Sequence, residues 1–203
     1  MFYKMMHFLL NMLFIPFVSM TIQNKKNIPK DKNYIIVSNH VSNFDPLLLA
    51  LAWHKPVHFM AKQELFEIFF IGRVLKMLQM ISVRRGESDR KAVKEALQYL
   101  KDGEILALFP EGTRNKDKKG LLPFHTGAAF FAKSTNLSVL PVAISGTGNI
   151  RPSLFNRVNF KVGRPIAIED YFEGKISSKE LEEFTQIIRS EIEGLLGDSD
   201  ESN

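Results

Sequence analysis

The 203-residue chain contains no cysteine, so disulfides and thiolate-bound metals are excluded and a cytoplasmic address becomes the default. The short signatures of several large enzyme classes are missing as well. Without a G-x-S-x-G elbow, a covalent serine mechanism loses its usual support. Without H-E-x-x-H, a Walker lysine loop or paired dinucleotide glycines, metalloprotease, nucleotide and nicotinamide chemistry have no anchor. The net charge of +5 favours an anionic partner, but no zinc-finger, helix-turn-helix or aromatic-basic sheet pattern accompanies it. Anionic lipid and phosphorylated substrates are therefore preferred to nucleic acid. Neither an internal repeat nor an interdomain linker is evident, and length and composition suit one domain with its own core.

A clean apolar run long enough to cross a bilayer is also absent. Residues 5–22, MMHFLLNMLFIPFVSMTI, are interrupted by His7, Asn11 and Pro16, whereas a spanning helix needs about 20 predominantly apolar residues. Lys4 precedes this stretch and Lys25 and Lys26 follow it, which suits a membrane-interfacial helix with lysines at the headgroups. A core-packing amphipathic helix is the alternative, and a signal peptide is disfavoured because no small-residue cleavage site follows. The expected division is a membrane-associating helical segment over 1–22, one domain over 23–197 and a frayed tail over 198–203.

What is present is a chain of short apolar strands alternating with helices. Tyr34-Ile35-Ile36-Val37-Ser38 reads as a strand buried on both faces. Asp45-Pro46 opens a helix through Trp53, and a second strand covers 57–60. Residues 62–79 are rich in Leu, Phe and Ile with scattered charges, as expected of helices in contact with something apolar. A strand over 80–83 ends at Arg84-Arg85, and Ser88 is expected to cap a helix whose stripe is Ala92, Val93, Ala96, Leu97 and Leu100. Further strands are expected at 104–109 and 139–144, with a helix near 127–135 between them. Pro141 argues for an edge or irregular position. Val158, Phe160 and Val162 alternate with polar residues, so the sheet is expected to be mixed, and a helix over about 178–196 closes the domain. This is an α/β single domain with a mostly parallel mixed sheet flanked by helices, whose ligands bind beyond the carboxyl ends of the strands.

Two runs carry chemistry. In Asn39-His40-Val41-Ser42-Asn43-Phe44-Asp45, a strand-to-helix junction offers an imidazole able to take a proton near neutral pH and a carboxylate able to fix its tautomer. The plain reading of the same pair is a helix cap beside an ordinary loop histidine. In Phe109-Pro110-Glu111-Gly112-Thr113-Arg114, glycine permits a tight turn and Arg114 can grip a phosphate with two hydrogen bonds. Arg84 or Arg85 could reach the same anion from another strand end. A metal site built from His40, Asp45 and His125 is disfavoured, and no metal is expected.

NHVSNFD, the strand ending in Arg84-Arg85, FPEGTR and Val139-Leu140-Pro141-Val142 resemble, in order and spacing, the four blocks of the glycerolipid (HxxxxD) acyltransferase family, most closely its bacterial 1-acyl-sn-glycerol-3-phosphate acyltransferase branch. The likeness covers about Ile28 to Ile168 and implies a glycerol-3-phosphate acyltransferase-like fold. It implies transfer of a fatty acyl group from a thioester to the sn-2 hydroxyl of lysophosphatidic acid, giving phosphatidic acid in phospholipid biosynthesis. The donor would be acyl-ACP (acyl carrier protein) or acyl-CoA as co-substrate, with no bound cofactor. By position, His40 would be the base and Asp45 its orienting partner, while Glu111, Gly112, Thr113 and Arg114 hold the phosphate with Arg84 or Arg85 assisting.

Where many relatives have Phe-Lys-x-Gly, this chain reads Phe124-His125-Thr126-Gly127. The surroundings of His125 and Gly127 are thus a candidate oxyanion or charge-stabilising region, its donor left open. Leu65, Phe69 and Leu75 would line or adjoin an acyl channel, with ordinary core packing as the alternative. The resemblance implies a peripheral or monotopic enzyme on the cytoplasmic face of the cell membrane, in contact with membrane lipid and its anionic surface. The rival readings are an acyltransferase for glycerol 3-phosphate or another lysophospholipid, and a lipid-binding membrane protein without turnover.

Overall fold

The structure, a computed structural model, describes residues 12, 17–30, 32–53, 55–84, 89–117, 120–149 and 156–197. Seven strands form one sheet: β1 (Val18–Gln23), β2 (Ile35–Ser38), β3 (Val57–Lys62), β4 (Ile81–Val83), β5 (Ile105–Leu108), β6 (Val139–Ser145) and β7 (Asn156–Val162). Their order is β1-β7-β6-β2-β5-β3-β4. All neighbours are parallel except β6 and β7, so the sheet is mixed, as the one-sided alternation in β7 requires. Among the described residues, six helices connect and cover it: α1 (Asp45–Ala52), α2 (Gln63–Glu67), α3 (Phe69–Met77), α4 (Arg90–Lys101), α5 (Gly127–Thr135) and α6 (Ser178–Gly197).

The two faces of the sheet carry two apolar clusters. Ile35, Val37, Leu106 and Val139 pack with Ala92, Ala96 and Leu100 of α4, Ala129 and Ala132 of α5, and Phe184, Ile188 and Ile192 of α6. On the other face, Ile36, Ala107, Leu140 and Phe160 meet Leu48 and Leu49 of α1 and Trp53. β2 lies at the centre, with all four residues buried, which accounts for its unbroken apolar sequence. Parallel strands joined by helices turn one end of the sheet into a rim of loops, the usual place for a site in this architecture.

Three local expectations are corrected and a fourth, at Pro141, is narrowed to an irregular position. The expected 1–22 helix cannot extend through its last five residues, because Val18–Gln23 is a strand paired in parallel with β7. Residues 1–11 and 13–16 lie outside the described residues. Asp89, rather than Ser88, caps α4, its carboxylate accepting the Ala92 N–H at 3.1 Å. Pro141 sits in an interior strand between β2 and β7. It is tolerated there because the β6–β7 ladder covers only Val142–Ser145. On that flank, Val139 pairs with Ile166 and the Pro141 carbonyl accepts from Gly163 N–H at 2.8 Å, so the missing proline N–H falls where the ladder has not begun. α1 ends at Ala52, with Trp53 capping it through the Leu49 carbonyl.

Candidate active site

β2 ends at Ser38, and the following turn is pinned to its neighbours before any reactive group appears. Asn39 is buried; its side chain donates to the Ile144 carbonyl at 2.9 Å and accepts the Ile144 N–H at 2.8 Å. The carboxyl ends of β2 and β6 are thereby tied together. The His40 backbone is held on both sides, its N–H donating to Glu111 Oε1 at 2.7 Å and its carbonyl accepting from Asn115 N–H at 2.7 Å. The His40 ring stacks on Phe109, with centroids 4.4 Å apart and an interplanar angle of 26°.

Asp45 opens α1 and is wholly buried. Its Oδ2 lies 2.9 Å from His40 Nδ1 and accepts the N–H groups of Val41 and Ser42 at 2.7 and 2.8 Å. The residue thus organises the turn and orients the ring; it does not cap the helix, whose N-cap is Phe44 with no side-chain cap hydrogen bond. Because a carboxylate accepts, the proton of a neutral imidazole belongs on Nδ1, which leaves a lone pair on Nε2. Nε2 has no hydrogen-bond partner among the described residues, and the His40 side chain keeps 16% of its surface accessible. The arrangement can accept a proton from a hydroxyl that reaches Nε2.

The second run folds as a turn on which the first one rests. Gly112 N–H donates to the Phe109 carbonyl at 3.0 Å, and Gly112 has φ +64°, a conformation glycine adopts without strain. Glu111 departs from its expected role. It is buried, with Oε1 on His40 N–H and Oε2 accepting Leu122 N–H at 3.1 Å. Both oxygens are occupied by backbone donors, and a carboxylate would repel a phosphate, so Glu111 is a clamp between the two runs rather than an anion ligand. Burial raises its pKa, against the pull of the two backbone hydrogen bonds. Gly112, exposed Thr113 and half-buried Arg114 remain on the open side of the turn. The Arg114 side chain makes no ion pair among the described residues.

Arg84 is exposed just beyond β4, which β5 and β3 separate from β2, and its backbone N–H donates to Asp89; Arg85 lies outside the described residues. His125 is exposed, with its N–H on the Pro110 carbonyl at 2.9 Å. Its ring lies against Gly112, where a Cβ would meet Cδ2 at 3.0 Å and Nε2 at 3.1 Å. Gly112 is therefore fixed twice, by φ and by the imidazole above it. Gly127 is the exposed first residue of α5. Leu65 and Phe69 are exposed, whereas Leu75 packs against the core cluster beneath α1, so these three do not share one enclosed lining. Among the described residues no group of three His, Asp or Glu could hold a metal ion.

A family model described as Acyltransferase matches residues 19–145. The chain belongs to the acyltransferase family. It is 31% identical over 187 residues to the 1-acyl-sn-glycerol-3-phosphate acyltransferase of Borreliella burgdorferi, covering 89% of this chain and 72% of that protein. It is 30% identical over 178 residues to the Bacillus subtilis protein of that name, covering 86% of each. The crystal structure of the 1-acyl-sn-glycerophosphate (LPA) acyltransferase PlsC from Thermotoga maritima superposes with a TM-score of 0.75 at 28% identity, over 99% of this chain and 80% of that one.

Within this acyltransferase domain, three contributors to the site were not assigned a role from sequence. Phe109 supports the His40 ring, Asn39 locks β2 to β6, and Asn115 holds the His40 carbonyl while its side chain donates to Gly120 O at 2.8 Å. All three lie within or beside the two quoted runs, so adjacency was the available signal. Burial of the two asparagines is what distinguishes them from loop polar residues.

Proposed function

We propose that this acyltransferase moves a fatty acyl group from a thioester to the sn-2 hydroxyl of lysophosphatidic acid. The observation that carries the reading is the unengaged Nε2 of His40, held beside the turn that carries half-buried Arg114. The names of the B. burgdorferi and B. subtilis relatives support the choice of acceptor. His40 Nε2 takes the hydroxyl proton as the oxygen attacks the thioester carbonyl carbon, while Asp45 stabilises the imidazolium that forms. The tetrahedral intermediate then expels the thiolate, the C–S bond breaks, and the proton passes from His40 to sulfur. Gly112, Thr113 and Arg114, with Arg84, hold the acceptor phosphate, and Glu111 holds the backbone of His40 in register with them. The carrier is acyl carrier protein or coenzyme A, and the reaction takes place at the cytoplasmic face of the cell membrane.

The deciding experiment offers acyl-ACP and acyl-CoA with lysophosphatidic acid, glycerol 3-phosphate and a phosphate-free monoacylglycerol on liposomes, and identifies products by mass spectrometry. Phosphatidic acid should dominate. Equal use of the phosphate-free acceptor would remove the role given to Arg114, and release of free fatty acid alone would make the protein a hydrolase.

A further inference from the structure

α2 and α3 meet at an elbow whose two sides differ sharply. Gly72 and Leu78 are buried and Leu75 packs inward. Ile68, Phe69, Phe70, Ile71 and Val74 stand on the surface, from 37% exposed at Val74 to 77% at Phe70. Singly exposed apolar residues are ordinary, but a contiguous group of this kind marks an interaction surface. The elbow holds the group rigidly. Gly72 N–H donates to the Ile68 carbonyl at 2.6 Å, and a Cβ on Gly72 would lie 2.1 Å from the Phe66 carbonyl oxygen.

Charge and position indicate what covers this surface. α3 carries Arg73 and Lys76 and no acid, with the Arg73 guanidinium 4.1 Å above the centroid of the Phe69 ring. Of the acids on α2, Glu64 is paired with Lys62 at 2.9 Å and Glu67 is exposed. α2 starts where β3 ends, at the carboxyl end of the sheet. That end also carries His40, exposed Phe44, Arg84 and Arg114. Aromatic and aliphatic groups flanked by cations match the acyl–headgroup boundary of an anionic bilayer.

We propose that the α2–α3 face seats the carboxyl end of the sheet on an anionic phospholipid surface. The seat stands on exposure and charge; the lipid acceptor proposed above supplies its purpose, because the site then opens toward the layer in which such an acceptor resides.

The absence of cysteine makes the test direct. Phe70→Cys carries a polarity-sensitive fluorophore, with Ser134→Cys, exposed near the end of α5, as the control position. On vesicles of phosphatidylglycerol and phosphatidylcholine in equal parts, the label at 70 should shift to the blue and be quenched by a lipid-borne quencher, while the label at 134 stays in water. Phe70→Ser combined with Ile71→Ser should weaken partitioning onto these vesicles by about tenfold and leave acyl transfer to a detergent-dispersed acceptor unchanged. A bound protein whose label at 70 remains in water overturns the seat. So does a blue shift without vesicles that grows with protein concentration, since the face then joins copies of the chain. Turnover with a water-exposed label refutes the seat alone, and a lipid-buried label without turnover refutes the acyltransferase reading alone.

Discussion

Two of the described histidines sit against a carboxylate and an aromatic ring, at opposite ends of the same sheet. His40, beyond the carboxyl end of β2, has Asp45 on Nδ1 and Phe109 beneath its ring. His58, at the amino end of β3, has Glu104 on Nε2, the Gln79 carbonyl on Nδ1 at 2.9 Å and Tyr99 stacked at 3.9 Å. The difference is what remains available. His58 is fully buried with both nitrogens engaged, whereas the His40 side chain keeps part of its surface accessible and its Nε2 has no partner among the described residues. A histidine–carboxylate pair is therefore no sign of catalysis by itself; of these two, His40 alone has a ring nitrogen without a partner among the described residues. The carboxylates are reversed as well, since Asp45 is buried and Glu104 is 38% accessible. The pair that needs a fixed tautomer keeps its acid out of water.

The sharpest way to break this comparison is to delete each ring in turn. His40→Ala should lower kcat by at least about 10²-fold with little change in Tm. His58→Ala should instead lower unfolding stability by roughly 1–3 kcal/mol, because a buried ring that packs on Tyr99 and makes two hydrogen bonds is lost, with kcat per folded molecule unchanged. Comparable kcat losses in stability-matched proteins would make the two pairs equivalent and sink the distinction. Next in size, Arg114→Ala should raise KM for lysophosphatidic acid by about tenfold through loss of charge-assisted contacts, with a smaller effect on kcat. Steady-state kinetics against a phosphate-free acceptor, which should not notice the change, provide the check.

Glu111 and Asp89 separate a carboxylate that supports the site from one that supports a helix, and their pH effects have opposite signs. Burial holds the Glu111 pKa above the usual carboxylate range, so the folded protein binds that proton more tightly than the unfolded chain. Its contribution favours folding below its unfolded pKa and is lost as pH rises through the folded value. Glu111→Gln cannot titrate and should flatten that part of a Tm series taken upward from acid pH; parallel curves would refute the buried clamp. The smallest effect is expected at Asp89, whose pKa is lowered by hydrogen bonds from the Arg84 and Ala92 backbones. Its support of α4 is present above the unfolded pKa and is lost as pH falls through the folded one. Asp89→Ala should thus depress Tm slightly at neutral pH and converge with the parent in acid, as thermal melts would register.

Local pattern revealed those parts of the molecule whose causes are local. The buried run of β2, the start of α1 at Asp45-Pro46, the limits of α5 and the inward stripe of α6 each follow from a few adjacent side chains. The turn at Gly112 was legible for the same reason. What escaped depends on distant partners. β1 exists because β7 offers it an edge, and its alternating burial was masked inside a stretch apolar enough to read as a helix. Pro141 reads as an edge or an irregular position, and what decides between them, the early departure of β7, cannot be seen from residue 141. Glu111 looked like a phosphate ligand beside Gly-Thr-Arg until the positions of His40 N–H and Leu122 N–H showed where its oxygens point. Exposure of the α2–α3 face, too, was invisible in a run that reads equally as core.

The parallel pairing of Val18–Gln23 with Asn156–Val162 bears on how the protein can be cut. A truncation at residue 22, chosen to strip an apolar leader from a soluble body, would remove nearly all of the strand that covers β7. The uncovered edge would offer its unpaired N–H and C=O groups to other chains, so a deletion intended to improve solubility would create an adhesive surface. Because the Phe17 carbonyl also accepts the Asn156 N–H at 3.0 Å, the cut that spares the sheet falls before Phe17.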